Sequence, residues 1–390
     1  MRTQVAIIGA GPAGLLLSHL LALSGVDSVV LEARSREYVE RRVRAGVLEE
    51  PTVQLLREVG LGERMDREGL RHTGVSFRFD GADHRVDFAE LTGRGITVYG
   101  QQEVVKDLIA ARLAAGGDVR FEVSDVTLRD LDSDQPKVSF RDADGQLREL
   151  RCDAVAGCDG FHGVSRESIP AGVLTVCERT YPFAWLGILA EAPPSHDELI
   201  YAYHERGFAL HSMRSPRITR LYLQVAPDER VENWPDSRIW EELAIRLAAD
   251  GFSLTEGLVL EKSITSMRSF VVEPMRYGRL FLAGDAAHIV PPTGAKGMNL
   301  AVADVVRLSR ALTAWLREKR TDLVEGYGRD CLPRVWRAQH FSWWMTSMLH
   351  RFPEDDAFQR QLQLAQLRYT MSSPAAATSL AENYVGLPFD

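Results

Sequence analysis

The N-terminal part of the chain carries short apolar runs separated by a glycine-rich turn. Residues 5–8 are an apolar run of strand length, residues 15–23 are an apolar stretch of helix length, and residues 29–32 form a second strand-like run. Three glycines lie between the first run and the second, in residues 9–14. Strand, tight turn, helix and strand in this order indicate a right-handed βαβ unit with parallel strands.

The hydrophobic pattern changes between residues 181 and 261. Short strand-like stretches follow one another there, joined by polar turns that leave no room for crossover helices. They are residues 183–189, 198–204, 207–213 and 220–225. An apolar run at 281–284 then indicates a further buried strand, and helix-length segments occupy the chain from residue 300 onward.

These patterns predict an α/β fold, α+β overall, with three parts. We expect a Rossmann-like cofactor-binding domain with a parallel sheet, an antiparallel-sheet domain, and a helical C-terminal region that contributes to an interface. A chain of this length exceeds what one hydrophobic core usually covers. In residue numbers the expected parts are 1–175 (completed by about 268–299), 176–267 and 300–390.

Composition and charge narrow the function classes. With 45% hydrophobic and 26% charged residues, the composition is that of an ordinary soluble globular protein. The formal net charge of -8 argues against a nucleic-acid partner, which requires a concentrated basic surface. Glycine and proline interrupt the apolar residues 5–26, so we expect neither a membrane span nor a targeting signal. Scattered cysteines without metal-like spacing fit a reduced cytoplasm and no metal site.

The glycine turn carries the first candidate binding residues. Gly9, Gly11 and Gly14 form a GxGxxG sequence after a strand and before a helix, and Glu32 ends the second strand. The glycines allow a tight turn, close approach of a pyrophosphate and close packing of helix on sheet, while the helix dipole favours the phosphates. Glu32 is placed to accept hydrogen bonds from ribose hydroxyls. The fingerprint predicts a dinucleotide site but does not separate FAD from NAD.

Two later turns each place an aspartate directly after an apolar strand. Asp159 lies in residues 158–166, and Asp285 lies in residues 284–288, which a Pro-Pro-Thr-Gly sequence follows at 291–294. A carboxylate at such a turn can bind a sugar or polyol hydroxyl without deep burial. With the N-terminal fingerprint, these motifs resemble the three FAD-contact motifs of the flavoprotein aromatic hydroxylases. The resemblance runs from the first residues of the chain to the last.

The resemblance implies an enzyme with non-covalently bound FAD that uses NADPH or NADH and molecular oxygen. It further implies that the substrate is 4-hydroxybenzoate, hydroxylated at C3 to 3,4-dihydroxybenzoate, and that the protein is a homodimer. In this family, reduced flavin and oxygen form a hydroperoxide that the ring carbon beside the phenol attacks. Two alternatives stay open: a related hydroxylase of another hydroxy- or aminobenzoate, and a non-catalytic binding module.

The resemblance also implies a substrate pocket in this sequence. Arg214 offers a planar fork that suits the carboxylate of an aromatic acid, and Ser212 and Tyr222 add neutral donors. Ser212 and Arg214 have strand spacing, so both side chains are expected on one face. The family's pocket residues fall on Tyr201, Ser212, Arg214, Tyr222, Pro292 and Tyr384.

Hydroxylation needs an electron-rich ring, and an unperturbed phenol has a pKa of about 10. In the family a proton relay draws the phenol proton away, and its members fall on Tyr201, Tyr384 and His72. Histidine suits the outer end, which we expect near solvent, because its pKa lies near working pH. We therefore expect Tyr201, Tyr384, His72 and Pro292 to carry the catalytic roles.

Other positions match the family around its two nucleotides. The stretch 33–38 occupies the region that distinguishes NADPH from NADH: Arg34 and Arg36 could pair with a 2′-phosphate, whereas Glu37 and Glu40 would repel one. The choice of coenzyme stays open. The expected flavin residues, beside the glycines, Glu32 and Asp159, are Arg42, Arg44, Gln101, Asp285, Lys296 and Asn299. The expected nicotinamide-nucleotide residues are Arg34, Tyr38, His162, Arg166 and Arg268.

Overall fold

The computed structural model describes residues 1–43 and 46–389. Its N-terminal half alternates helices with strands, because apolar runs of strand length are separated by amphipathic segments. The elements up to residue 167 are, in chain order, β1 Val5–Ile8, α1 Pro12–Leu23, β2 Ser28–Leu31, α2 Arg36–Arg41, β3 Val47–Glu49, α3 Glu50–Glu58, α4 Gly62–Glu68, β4 Leu70–His72, β5 Gly74–Phe79, β6 Ala82–Asp87, α5 Phe88–Thr92, β7 Ile96–Val98, α6 Gln101–Ala114, β8 Asp118–Arg120, β9 Ser124–Arg129, β10 Lys137–Arg141, β11 Leu147–Arg151, β12 Ala154–Gly157 and α7 Val164–Glu167.

The remaining chain is first dominated by strands and then by helices. No helix within these described residues is both long enough and apolar enough to cross a bilayer. The elements are β13 Thr175–Glu191, β14 Ile200–Ala202, β15 Ala209–Ser215, β16 Ile218–Val225, α8 Asp236–Arg246, β17 Leu258–Glu273, β18 Arg276–Tyr277, β19 Leu280–Leu282, β20 His288–Ile289, α9 Gly297–Glu318, α10 Asp322–Leu349, α11 Ala357–Ser372 and α12 Pro374–Val385.

A six-stranded sheet forms the centre of the cofactor-binding part, in the order β18-β19-β12-β1-β2-β8. Strand β1 pairs in parallel with both β2 and β12, and β19 joins β12 in parallel. The strand residues Val5 to Ile8 are almost completely inaccessible, because helices cover both faces of the sheet. The predicted βαβ unit and Rossmann-like sheet are confirmed.

An eight-stranded sheet carries the second part, in the order β20-β17-β13-β16-β15-β14-β5-β6. Strands β13 to β17 pair in antiparallel fashion, as the short strands and polar turns predict. The hairpin β5–β6 adds to this sheet through a parallel pairing of β5 with β14. Residues 74–87 therefore cross the expected boundary at residue 175, and the domain limits stay a prediction.

The two faces of the eight-stranded sheet pack against different partners. One face, with Tyr201 and Leu210, belongs to an aromatic-rich core that also contains Tyr384 and other residues of the C-terminal helices. The opposite face packs against helix α8, including Trp240 and Leu243. The mixed α/β class and the helical C-terminal region agree with the expectations from the sequence, whereas α8 was not predicted.

Candidate active site

Each glycine of the fingerprint meets a different steric demand. Gly9 has φ +102, and a Cβ there would lie 2.5 Å from the carbonyl oxygen of Cys158. A Cβ on Gly14 would lie 2.0 Å from the carbonyl oxygen of Gly9. A Cβ on Gly11 would have no atom of the described residues within 4 Å. Gly9 and Gly14 are thus required by the packing of the chain, while Gly11 borders the open space at the N-terminus of α1, where a pyrophosphate would fit.

Glu32 connects the end of β2 to the glycine turn. Its Oε2 accepts a hydrogen bond from the backbone N–H of Ala10 at 2.8 Å, and its Oε1 accepts one from Arg34 at 2.8 Å. Each carboxylate oxygen can accept further hydrogen bonds. The geometry therefore fits the expected ribose contact, and it also shows that Glu32 fixes the turn.

Asp159 has one occupied and one unoccupied carboxylate oxygen. Its Oδ2 accepts hydrogen bonds from the backbone N–H and from Oγ of Ser165, both at 2.9 Å. Its buried Oδ1 has no hydrogen-bond partner among the described residues. Burial raises the pKa of Asp159, against the hydrogen bonds from Ser165. An acceptor that is buried without a partner is costly, and a hydroxyl of a bound cofactor would satisfy it.

The turn that contains Asp285 is held from inside the protein by Asp304. Gly284 begins this turn with φ +63, and the Oδ2 of Asp304 accepts a hydrogen bond from its N–H at 2.9 Å. The same oxygen lies 2.6 Å from Nε2 of His288, just after the turn. Burial disfavours protonated His288, but the carboxylate of Asp304 outweighs it, so the pKa of His288 is raised. Sequence reasoning missed Asp304, whose signal is a lone carboxylate in the apolar face of α9.

Lys296 and Asn299 attach the start of α9 to β3. The Nζ of Lys296 lies 2.6 Å from Oε1 of Glu49 and also donates to the backbone carbonyls of Asn383 and Tyr384. Asn299 accepts a hydrogen bond from the N–H of Glu49 at 3.0 Å. Burial lowers the pKa of Lys296 although Glu49 opposes this effect. Glu49 was not among the expected site residues.

The remaining expected flavin residues lie on other elements. Gln101 is the first residue of α6 and is half-buried, and Arg42 follows α2 with an exposed side chain. The Asp285 side chain is half-buried. Arg44 lies outside the described residues.

Tyr201 and Tyr384 come together in the aromatic core. Their hydroxyl oxygens are 2.6 Å apart. Phe77 stacks on Tyr201 with a centroid separation of 5.6 Å, and Phe88 stacks on Tyr384 at 5.0 Å. Both tyrosines are buried, and burial raises the pKa of each above the ordinary tyrosine value. Both tyrosines are therefore protonated at neutral pH, and each hydroxyl can donate one hydrogen bond and accept another.

Ser212, Arg214 and Tyr222 form a second polar group on the same sheet. An Nη1 of Arg214 donates to Oγ of Ser212 at 3.0 Å and to the carbonyl of Met213 at 2.8 Å. Burial raises the pKa of Tyr222, but the guanidinium groups of Arg214 and Arg220 outweigh it, and the net shift is downward. This arrangement places a half-buried guanidinium between neutral hydroxyl groups, and its predicted role in binding a carboxylate stays a prediction.

The strand register places both polar groups on one face. Leu210 lies opposite Tyr201 on one side and opposite Tyr222 on the other. Residues directly opposite one another share a face, and Ser212 shares it with Leu210 by alternation. Tyr201, which contacts Tyr384, and Ser212, which contacts Arg214, therefore lie on the same face of the sheet.

Comparison with known proteins identifies the family. The family model described as an FAD binding domain matches residues 2–342. Over its whole length the chain is 50% identical to p-hydroxybenzoate hydroxylase of Acinetobacter baylyi (strain ATCC 33305 / BD413 / ADP1), of which it covers 96%. The chain belongs to the FAD-binding-domain family of aromatic hydroxylases. It is an FAD-dependent aromatic hydroxylase of the p-hydroxybenzoate hydroxylase type, and these findings support FAD as cofactor with NAD(P)H as co-substrate.

More distant relatives agree with this membership. The chain is 28% identical to a 3-(3-hydroxy-phenyl)propionate/3-hydroxycinnamic acid hydroxylase of Mycobacterium avium (strain 104), across 84% of this chain and 58% of that protein. Among solved structures, p-nitrophenol 4-monooxygenase PnpA from Pseudomonas putida DLL-E4 has a TM-score of 0.86 and 22% identity, with 99% of each chain covered. That structure supports the fold of this aromatic hydroxylase.

The position of His72 in this hydroxylase differs from expectation. We expected it near solvent, but its relative exposure is only 2%. The segment before β14 lies against it, because Glu198 in that segment accepts hydrogen bonds from Arg85 at 2.7 Å and from the N–H of Thr73 at 3.2 Å. Burial lowers the pKa of His72 to about 4. Within the described residues no hydrogen bond joins His72 to Tyr384, so its relay role stays a prediction.

The expected nicotinamide-nucleotide residues form two groups in this aromatic hydroxylase. Arg166 and Arg268 each hold their guanidinium 4.6 Å from the ring of Phe161, and His162 packs edge-on against that ring at 4.9 Å. Arg166 also donates to the carbonyl of Ala286 at 3.2 Å, next to Asp285. This first group therefore lies beside the Asp285 turn.

The second group surrounds α2. Arg34 lies 5.3 Å from the ring of Tyr38, which is itself exposed. Within the helix Arg36 pairs with Glu40 at 2.6 Å and Glu37 pairs with Arg41 at 2.7 Å. Arg36 and Glu40 thus offset each other, whereas Arg34 contacts an aromatic ring, and the coenzyme preference stays open.

The expected Pro292 begins a short 3-10 helix, Pro292–Gly294, and is exposed. Its neighbour Thr293 is buried and accepts a hydrogen bond from Oγ1 of Thr346 at 2.9 Å. The proline therefore stands at the surface of a turn whose following residue is fixed to α10.

Proposed function

We propose that this aromatic hydroxylase converts 4-hydroxybenzoate to 3,4-dihydroxybenzoate, with NAD(P)H as electron donor and O2 as oxygen donor. The observation that supports the proposal is that Ser212, in contact with Arg214, and Tyr201, in contact with Tyr384, share one face of the sheet. The relative from Acinetobacter baylyi, named p-hydroxybenzoate hydroxylase, supports the same substrate.

Different residues would contact the two ends of the substrate, its carboxylate and its phenol. The planar guanidinium of Arg214 suits a bidentate contact with the carboxylate, and Ser212 and Tyr222 add hydroxyls beside it. The phenol would meet the hydroxyl of Tyr201, which passes its own proton to Tyr384 at 2.6 Å. FAD bound by these residues would supply the redox chemistry, using electrons from NAD(P)H to activate O2, from which the oxygen atom comes. The protein's part is to hold the ring, to exclude water and to remove the phenol proton.

The geometry of the expected FAD-contact residues is compatible with bound FAD. Gly11 borders open space, Oδ1 of Asp159 is a buried acceptor without a described partner, and Glu32 retains acceptor capacity beside the turn. We propose that these residues, with Asp285, Arg42, Gln101, Lys296 and Asn299, hold FAD without a covalent bond, and we add Arg44 from the sequence. The aromatic cluster around Phe161 would meet the nicotinamide nucleotide transiently.

A steady-state assay tests the reaction. Coenzyme oxidation by the purified yellow protein should rise with added 4-hydroxybenzoate, oxygen should be consumed, and chromatography should show 3,4-dihydroxybenzoate. Rates with NADH and NADPH are compared in the same assay. If 3-hydroxybenzoate or an aminobenzoate stimulates better, the enzyme class stands but the substrate assignment is wrong; no stimulation by any benzoate contradicts the proposal.

Variants at Arg214 test the carboxylate site. Arg214→Lys keeps the charge but loses the planar fork, so KM for 4-hydroxybenzoate should rise at least about tenfold, the loss of one charge-assisted bond. Arg217→Lys is the matched control, because Arg217 is an exposed arginine that pairs with Glu191 outside the pocket face. If the KM for 4-hydroxybenzoate is unchanged in Arg214→Lys, Arg214 does not bind the substrate carboxylate.

We further propose that the protein is a cytoplasmic homodimer. The side chains of Trp336 and Trp343 on α10 remain partly exposed, which is unusual for tryptophan and is consistent with an interface. Light scattering after size exclusion should give twice the chain mass. A monomer would contradict the dimer without affecting the reaction.

A further inference from the structure

His350 is a fully buried histidine that is not among the residues expected for the pocket. It caps the C-terminal end of α10, and its relative exposure is 0%. Its Nε2 lies 2.7 Å from the indole Nε1 of Trp185, and its Nδ1 lies 3.0 Å from the carbonyl oxygen of Thr346. Both ring nitrogens therefore have partners of defined chemistry.

The partners determine the state of the ring. An indole N–H can only donate, so Nε2 of His350 must be the acceptor. A carbonyl can only accept, so the proton is on Nδ1, and the ring is neutral. Burial lowers the pKa of His350 to about 3, which agrees with this assignment. His350 is thus a fixed neutral tautomer that holds the indole of Trp185 in one orientation.

Trp185 is adjacent to the carboxylate end of the pocket. Its ring centroid lies 4.9 Å from that of Tyr222, which shares the face of the sheet with it. Since Tyr222 stands beside Arg214, a rotation of the indole would remove the wall against which the tyrosine packs. The orientation of Trp185 therefore bears on the carboxylate site.

The same histidine ring also supports the phenol end. His350 stacks on Phe208 with centroids 4.4 Å apart, and Phe208 in turn packs against Tyr201 at 6.1 Å. Phe183 covers another side of the histidine at 4.7 Å. One buried ring thus contacts aromatic residues that lead to both ends of the proposed substrate.

A third connection runs to the turn of Pro292. Thr346, whose carbonyl accepts from His350, donates its own hydroxyl to Thr293 at 2.9 Å. Thr293 follows Pro292 directly. The end of α10 therefore links the sheet side of the pocket to the proline turn.

We propose that His350 is a positioning residue of the substrate pocket: it fixes the indole of Trp185 against Tyr222 and supports Tyr201 through Phe208. The proposal rests on the proposed function, because it takes Tyr222 and Tyr201 as substrate contacts. A phenylalanine would fill the same space without polar groups in the core. A histidine with both nitrogens bonded instead fixes an orientation, since buried hydrogen bonds are directional and costly to leave unmade.

Substitutions that separate stacking from hydrogen bonding test the proposal. His350→Phe keeps a stacked ring but leaves the indole N–H of Trp185 without an acceptor, whereas His350→Gln retains an acceptor oxygen. The FAD-loaded variants are titrated with 4-hydroxybenzoate by flavin absorbance, and coupling is measured as product formed per coenzyme oxidised. We expect His350→Phe to weaken substrate binding about tenfold and to lower coupling, and His350→Gln to recover most of both.

A double variant distinguishes positioning from stability. In Trp185→Phe/His350→Phe neither partner is left unsatisfied, so the melting temperature should return toward that of the parent. Substrate affinity should stay low, because the indole that supports Tyr222 is missing. If His350→Phe does not fold, this double variant and His350→Gln carry the test.

His19→Phe is the matched control. His19 is a buried histidine on α1, and its Nε2 lies 2.9 Å from the carbonyl oxygen of Val59, away from the eight-stranded sheet. The variant should lower the melting temperature without changing substrate affinity. The proposal is overturned if folded, yellow His350→Phe binds and couples like the parent, or if its affinity loss is matched by His19→Phe. If the parent itself shows no response to any benzoate, the proposed function has failed instead.

Discussion

The hydroxyl groups of Tyr201 and Tyr384 lie 2.6 Å apart although 183 residues separate them in the chain. Tyr201 belongs to strand β14 and Tyr384 to the last helix, and each is held by a separate stacked phenylalanine. A contact this short between two buried phenols requires that one donates to the other. The pair therefore forms a defined path for one proton step.

Tyr384→Phe should break this path. The expected result is hydroxylation slowed about a hundredfold, the scale of one proton-transfer group, with substrate affinity nearly unchanged because Arg214 still holds the carboxylate. Single-turnover rates and a substrate titration measure the two effects. Tyr181→Phe, which removes a buried hydroxyl bonded to Ser269, is the control and should leave the rate unchanged. A native rate in Tyr384→Phe excludes the relay.

Two glycine substitutions should separate folding from cofactor binding. Gly14→Ala places a methyl 2.0 Å from the carbonyl oxygen of Gly9, so we expect a loss of stability of about 3 kcal/mol or more. Gly11→Ala meets no described atom within 4 Å, and Gly11 has φ -72, which alanine adopts freely. The apoprotein of Gly11→Ala should melt normally but bind FAD weakly. If Gly11→Ala binds FAD normally, the assignment of the pyrophosphate to this turn is wrong.

Asp304→Asn should weaken FAD binding more than it weakens the fold. The carboxylate accepts from the N–H of Gly284 and from His288, and a neutral amide can satisfy only part of this arrangement. We expect an FAD Kd raised about tenfold or more, measured by fluorescence during reconstitution of the apoprotein. Ser309→Ala on the same helix is the control, because its hydroxyl donates to the carbonyl of Val306 at 2.9 Å. Equal FAD affinity in both variants would limit Asp304 to a structural role.

Acidification should destabilise the protein before its carboxylates titrate. Burial lowers the pKa of His72 to about 4 and that of His211 and His350 to about 3. The unfolded chain therefore binds more protons than the folded one below about pH 6.5, and the free energy of unfolding falls as the pH falls through this window. His288 acts oppositely, because its pKa is raised, and its contribution is lost as the pH rises.

Urea unfolding between pH 7 and pH 5 measures this dependence. Each buried neutral histidine contributes up to about 1.4 kcal/mol per pH unit, so His350→Gln should reduce the slope by up to one proton. His84→Gln, a change at a half-buried histidine on the edge strand β6, is measured alongside it. A slope that does not change in His350→Gln contradicts the assignment of a neutral buried ring.

The sequence alone determined the local features of this hydroxylase. The first strand, the glycine turn and α1 follow from residues within one short stretch, because the turn geometry and the apolar period are local properties. The pocket residues were predicted from the family resemblance. The structure brings together Ser212, Arg214 and Tyr222, and separately Tyr201 and Tyr384. The roles of all these residues remain predictions to be tested by the variants above.

Only the tertiary structure decided the contacts between distant segments. The parallel pairing of β5 with β14, the bonds of Asp304 to Gly284 and His288, and the burial of His72 have no periodic or local signal. The same holds for Trp185 and His350, which are 165 residues apart in the chain and share one hydrogen bond. The physical reason is that burial and hydrogen-bond pairing depend on which surfaces are packed together, and this is fixed only when the whole chain has folded.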